Sequence, residues 1–272
     1  MIRISGLHYK ITLAFILSIV AFSATAQINM GARGLGLGNA NTALVGDHWS
    51  LFSNPAFINN EQMSIGFYGL RNYGFSELTD MSAIGSLPTK YGAVALGFHH
   101  YGNNLFNETR IRFGYKNEWR SLHFGVVANY NHISFGGDYG SGGAIGVDVG
   151  VAAQLTEDLW IGAKSDNINM PEYNGLDEEL PRNIAIGFSY GLNELAVFAF
   201  DVFKDVRFPV SYRGGVEIKV IDELKGRIGV TNEPLTYSFG FGYGRESWDI
   251  NFAVQKHELL GFSPGFDFMI FF

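Results

Sequence analysis

The chain has 272 residues, with 19 Lys and Arg against 26 Asp and Glu and a net charge of −7. That balance excludes nucleic acid as a partner, because neutralising phosphates takes a surplus of Lys and Arg, and the absence of cysteine excludes disulfides, thiolate metal sites and a lipid-modified amino-terminal cysteine. With 35 Gly, 24 Phe and 13 Tyr against 7 Pro, the composition departs from that of an ordinary soluble domain.

Residues 1–26 read as a signal peptide. Arg3 and Lys10 give a positive start, an apolar run follows over residues 11–22, and Ala24-Thr25-Ala26 has the small-x-small form of a cleavage site. The run is too short for a spanning anchor. Cleavage after Ala26 would leave 246 residues, starting at Gln27, with a net charge of −9. No later stretch reaches the roughly 18 apolar residues of a spanning helix. An exported, aromatic-rich chain without such a helix points to a transmembrane β-barrel.

Residues 27–60 hold "MGARGLGLGNANTALVGDHWSLFSNPAFI". The glycines at 31, 34, 36 and 38 do not make a dinucleotide fingerprint, since G-x-G-x-x-G from Gly34 needs glycine where Asn39 stands. Asp47 is placed to cap a short helical turn over His48–Phe52. Pro55 restricts Asn54 to an extended conformation and ends that turn. This is the one sizeable segment outside the expected strands. Glycines let a backbone run close to a wall, so the segment reads as a plug, or hatch, inside a wide barrel.

Residues 61–272 alternate with period two, as barrel strands do. Trp248, Ile250, Phe252 and Val254 oppose Asp249, Asn251, Ala253 and Gln255. Ile111, Phe113 and Tyr115 oppose Arg110, Arg112 and Lys116. Fourteen strands are expected, at 62–70, 80–87, 90–100, 108–116, 120–134, 143–155, 158–166, 181–191, 194–204, 208–220, 223–231, 234–243, 246–256 and 264–272. Connections alternate between tight turns and longer loops, the longest at 167–180, which is the asymmetry of an outer-membrane barrel. The chain closes with alternating Phe266, Phe268, Ile270 and Phe272. The terminal Phe272 reads as the signal to the barrel-assembly machinery.

The segment with Gly31, Arg33, Gly36, Gly38, Ala43, Asp47, Asn54, Pro55 and Ala56 resembles the amino-terminal signature of FadL-like outer-membrane barrels. That group includes the fatty-acid transporters and the PorV/PorQ proteins of type IX secretion in Bacteroidota. The closing "KHELLGFSPGFDFMIFF" also resembles the family's last hairpin. The resemblance implies a fourteen-stranded barrel with an amino-terminal plug, integral in the outer membrane and in contact with its lipid. Two roles follow from it. The short outer loops favour a partner-binding component of a secretion or surface-assembly system, with another outer-membrane or secretion protein as partner. The alternative is transport of a hydrophobic ligand.

The candidate site residues fall in two sets. The hatch motif is Gly31, Arg33, Gly36, Gly38, Asp47, Asn54, Pro55 and Ala56. Arg110, Arg112, Lys116, Asp148, Lys164, Arg213, Glu217, Lys219, Arg227 and Asp249 face the lumen, as a network holding the plug in preference to a polar pathway. No cofactor or metal is expected: His99 and His100 point to opposite faces of one strand, and His123 and His132 have opposite parity. No nucleophile–base motif points to an enzyme. Glu172, Asp177, Glu178 and Glu179 read as a solvated loop.

Overall fold

A computed structural model of the chain describes residues 29–137, 140–176 and 178–272. The expected signal peptide lies outside the described residues. Fourteen antiparallel strands form one closed barrel. They are β1 (Ser64–Arg71), β2 (Thr79–Thr89), β3 (Gly92–Gly102), β4 (Phe106–Trp119), β5 (Leu122–Phe135), β6 (Ser141–Gln154) and β7 (Leu159–Asp166), then β8 (Asn183–Leu192), β9 (Ala196–Asp205), β10 (Ser211–Lys219), β11 (Leu224–Asn232), β12 (Leu235–Arg245), β13 (Trp248–His257) and β14 (Gly261–Phe271). Each strand pairs with its chain neighbours, and β1 pairs with β14 from Ser64↔Phe271 to Leu70↔Gly265. That seam closes the sheet on itself and leaves neither β1 nor β14 as a free edge strand.

The period-two pattern sets which face each side chain takes. Phe113, Phe239 and Phe241 stand outward at 54%, 60% and 51% exposure, while Arg112, Gly240 and Asn251 point inward. A wall of exposed Phe, Ile and Leu would drive aggregation in water. In a bilayer it is the stable arrangement, which makes this a membrane-spanning barrel.

One rim carries the connections 90–91, 120–121, 155–158, 193–195, 220–223 and 246–247. The other carries 72–78, 103–105, 136–140, 167–182, 206–210, 233–234 and 258–260. The expected contrast between rims is weaker than the sequence implied. β4 and β14 start earlier than expected, at Phe106 and Gly261, because polar Asn107 and Ser263 still fit the ladder when they lie near a rim or face the lumen.

Residues 29–63 occupy the interior. Gly31 precedes a short helix, α1 (Ala32–Gly36), and two 3-10 turns follow at Ser50–Phe52 and Pro55–Phe57. The helix was not expected from the glycine-rich run. The expected turn over His48–Phe52 is a tighter one. Asp47 accepts hydrogen bonds from the Trp49 backbone N–H and the Ser53 hydroxyl, both at 3.2 Å. Asn54 is extended at φ −117°, and its side chain caps the next turn by accepting from Ala56 N–H at 3.1 Å.

Candidate functional site

The inner segment meets the lumen wall in two ways. Along β1, β2 and β3, whose inward faces mix Tyr68, Ile84 and Ala95 with Ser82, Ser86 and His99, it makes only packing contacts among the described residues. Met269, Tyr68, Ile84 and Ala95 pack in one cluster with Met30, Leu35, Trp49, Leu51 and Phe52 of the inner segment. Trp49 and Phe52 are 2% and 1% exposed. Burying one such ring is worth roughly 1.5–3 kcal/mol, so this cluster is the main adhesive between segment and barrel.

Polar side chains on β8 to β11 and on β14 hold the segment at defined points. Glu217 accepts two hydrogen bonds from the Arg33 guanidinium, each 3.0 Å, and another from Arg227 Nε at 2.5 Å. Arg227 Nη1 in turn donates to Asn251 at 2.6 Å. Asp267 accepts from Ala32 N–H at 2.6 Å and from Asn251 at 2.9 Å. Asp201 accepts both the N–H and the hydroxyl of Thr42, at 2.9 and 2.7 Å. Asn54 donates to Val151 C=O of β6 at 3.3 Å. Ser189 and Thr231 donate to the carbonyls of Ala43 and Gly38, at 2.6 and 2.7 Å.

Two wall glycines explain how the segment comes so close. A Cβ on Gly215 would stand 2.6 Å from Leu37 Cα, and one on Gly150 would stand 2.8 Å from Pro55 Cδ. Neither backbone nor a proline ring can yield to that.

The lumen-facing candidates fall at several levels. Arg33, Glu217 and Arg227 meet in one buried network. Arg112 pairs with Asp148, Arg110 with Glu108 at 2.5 Å, and Lys164 with Asp166 at 3.2 Å. Lys116 reaches Glu118 at 3.2 Å. Arg213 makes no ion pair among the described residues and lies 3.7 Å over the Phe203 ring. Asp249 accepts from Asn251 at 3.2 Å. Lys219 shares the inward face but sits at the turn rim, paired with Asp222 at 2.8 Å. In the hatch motif, Gly36 lies against Arg227 and Gly38 takes φ +66° against Val230. Pro55 and Ala56 lie against Gly125. The terminal Phe272 ends the seam, its N–H donating to Met63 C=O at 2.9 Å.

Sequence reasoning missed Asp80, Asp201 and Asp267. For Asp201 and Asp267 the signal was available: "FDV" and "FDF" place an acid at inward parity between outward apolar side chains. Asp80 accepts from Asn72 at 2.6 Å and lies 2.6 Å from His99 Nε2.

Within the segment, burial shifts two groups. It pushes the Asp47 carboxyl above its usual range, against the pull of Arg33. It lowers His48 to about 4, helped by the positive charges of Arg33 and Lys225 and opposed by Asp249. His48 also lies against Phe271, the ring centroids 4.7 Å apart and the planes tilted by 54°.

No family model and no curated protein matches the chain. Solved structures do. It superposes on the CymD monoaromatic hydrocarbon channel with a TM-score of 0.71 at 13% identity, covering 92% of this chain and 99% of that one. The Pseudomonas putida toluene transporter TodX gives 0.63 at 14% identity, over 89% and 96%. A Pseudomonas aeruginosa FadL homologue gives 0.59 at 11%, over 89% and 98%. At these identities the likeness is one of fold. The fold is that of the FadL-like fourteen-stranded outer-membrane barrels, with the segment before β1 in the hatch position.

Proposed function

We propose that this is a non-enzymatic outer-membrane barrel that passes a hydrophobic small molecule inward, with residues 29–63 as its hatch. The observation that carries this reading is how unevenly the segment is held around the barrel. Against β1 to β3 the segment is held, among the described residues, only by side-chain packing around Trp49 and Phe52. Side chains on β9, β10 and β14 hold the same segment by ion pairs and hydrogen bonds. A small apolar molecule can displace packing contacts on one side while the anchors on the other keep the segment tethered. Superposition on CymD and TodX, both hydrocarbon channels or transporters, supports it over the partner-binding role that the short loops favoured.

The test is uptake of radiolabelled toluene-like and long-chain apolar compounds into cells that make the barrel. A Trp49→Ala/Phe52→Ala variant should change the uptake rate while barrel levels stay constant. Equal uptake by producing and non-producing cells would sink the reading.

A second reading keeps a specific support. The connections 103–105, 233–234 and 258–260 leave a low outer rim, which suits docking of another membrane or secreted protein, as in the PorV/PorQ group. Photocrosslinking from Leu105 and Leu259, exposed at 77% and 78%, should capture a stoichiometric partner if this role holds.

A further inference from the structure

A second site lies on the outer wall, away from the lumen. The pairing register lays out level rows across β3 to β6. One row is Phe98, Ile111, Tyr130 and Ile145; the next toward the rim is His100, Thr109, His132 and Gly143; the last is Gly102, Asn107, Ser134 and Ser141. All three rows face outward. The apolar belt therefore ends at the first row, and the other two lie at headgroup level.

At that boundary is a trough of about 500 Å³, bounded by Tyr130, His132, Gly143, Ile145, Glu172 and Asn174. Gly143 makes its floor. A Cβ there would lie 2.6 Å from the Tyr130 hydroxyl, so glycine lets the Tyr130 ring lie low along the sheet. Tyr130 and His132 stack with planes 20° apart and centroids 6.5 Å apart. The loop after β7 forms the opposite bank, fixed to β6 by Asn174 N–H donating to Gly143 C=O at 2.9 Å.

We infer that this trough binds the uncharged saccharide headgroup of a glycolipid in the outer leaflet. A flat pair of aromatic rings offers a face for the C–H side of a sugar ring. Glu172, Asn174 and Ser141 stand beside it as acceptors and donors for hydroxyls. The lining contains no Lys or Arg, and Glu172 repels phosphate, so a phosphate headgroup is the wrong chemistry. The adjoining row of Phe98, Ile111 and Ile145 gives acyl chains an apolar surface directly below. That continuity selects a membrane-anchored sugar over a free glycan.

The experiment uses the barrel purified in an amine-oxide detergent and titrated with n-dodecyl-β-D-maltoside, maltose or dodecylphosphocholine, with bound molecules counted by native mass spectrometry. One dodecyl maltoside should be retained preferentially, with maltose far weaker. Tyr130→Ala should weaken retention about tenfold, the scale of one lost ring contact, and Gly143→Leu should abolish it. Glu172→Ala, on an exposed loop, gives a second readout if either wall variant fails to assemble. Equal retention of dodecylphosphocholine, or parent-like binding by Tyr130→Ala and Glu172→Ala, would overturn the inference. Maltose binding as tightly as its alkyl glycoside would overturn the glycolipid in favour of a free glycan.

Discussion

Glu217 stands between two guanidiniums, with all three groups withdrawn from water. Removing its charge by Glu217→Gln leaves Arg33 and Arg227 buried without a counter-ion, which costs about 3–5 kcal/mol. A clear fall in the urea midpoint for release of the inner segment is expected, read by protease cleavage within residues 29–63. Lys219→Gln is the contrast. Its partner Asp222 is 87% exposed, so water screens the pair and little change is expected. His48 gives a pH signature. Its folded value of about 4 lies below the ordinary 6.5, so the released segment binds the proton more readily. Its contribution is complete above about pH 6.5 and is lost as pH falls toward 4. Asp47 works in the opposite sense, since its carboxyl is raised. The clean measurement is therefore a difference. Segment release in the parent, minus that in His48→Phe, should steepen between pH 6.5 and 4. A flat difference across that range would show that His48 is not linked to docking.

Among the elements, the strands were the part most legible in the sequence. "SWDINFAVQ" and "TRIRFGYK" each sort cleanly into aromatic and polar faces, because lipid and lumen impose opposite demands on neighbouring residues. The partners of the inner segment were not legible. That Ala32 meets Asp267 and Thr42 meets Asp201 depends on closure of the whole sheet, and no local pattern encodes a contact across more than a hundred residues. The arrangement beyond β7 was equally hidden. β7 ends at Asp166 while β6 extends to Ser141, so the upper half of β6 is paired with β5 but has no strand on its other side. Asn169 fills part of that gap: its side chain accepts from Val147 N–H and donates to Ile145 C=O, both at 2.9 Å. Asn169→Ala should strip two partners from β6 at a cost of about 2 kcal/mol. Hydrogen exchange at the Val147 amide should then speed up by roughly thirtyfold. Unchanged protection there would mean that another group closes the edge.

At the scale of the whole molecule, a fourteen-stranded barrel is too wide for its own wall side chains to fill, and residues 29–63 supply the missing interior. A chain lacking residues 30–58 should still assemble, because the strand pairing does not involve them. In planar bilayers it should pass ions steadily where the parent does not; a silent deletion variant would show that the wall closes by itself. The glycines under the segment carry a further consequence. Gly150 and Gly215 are shaped for Pro55 and Leu37, so wall and filling form a matched pair. A filling transplanted from a barrel of the same strand number would meet methyl groups where it needs hollows. Hybrids between such proteins should therefore assemble only when both parts travel together, and inheritance of the two as a unit is the evolutionary counterpart of that fit.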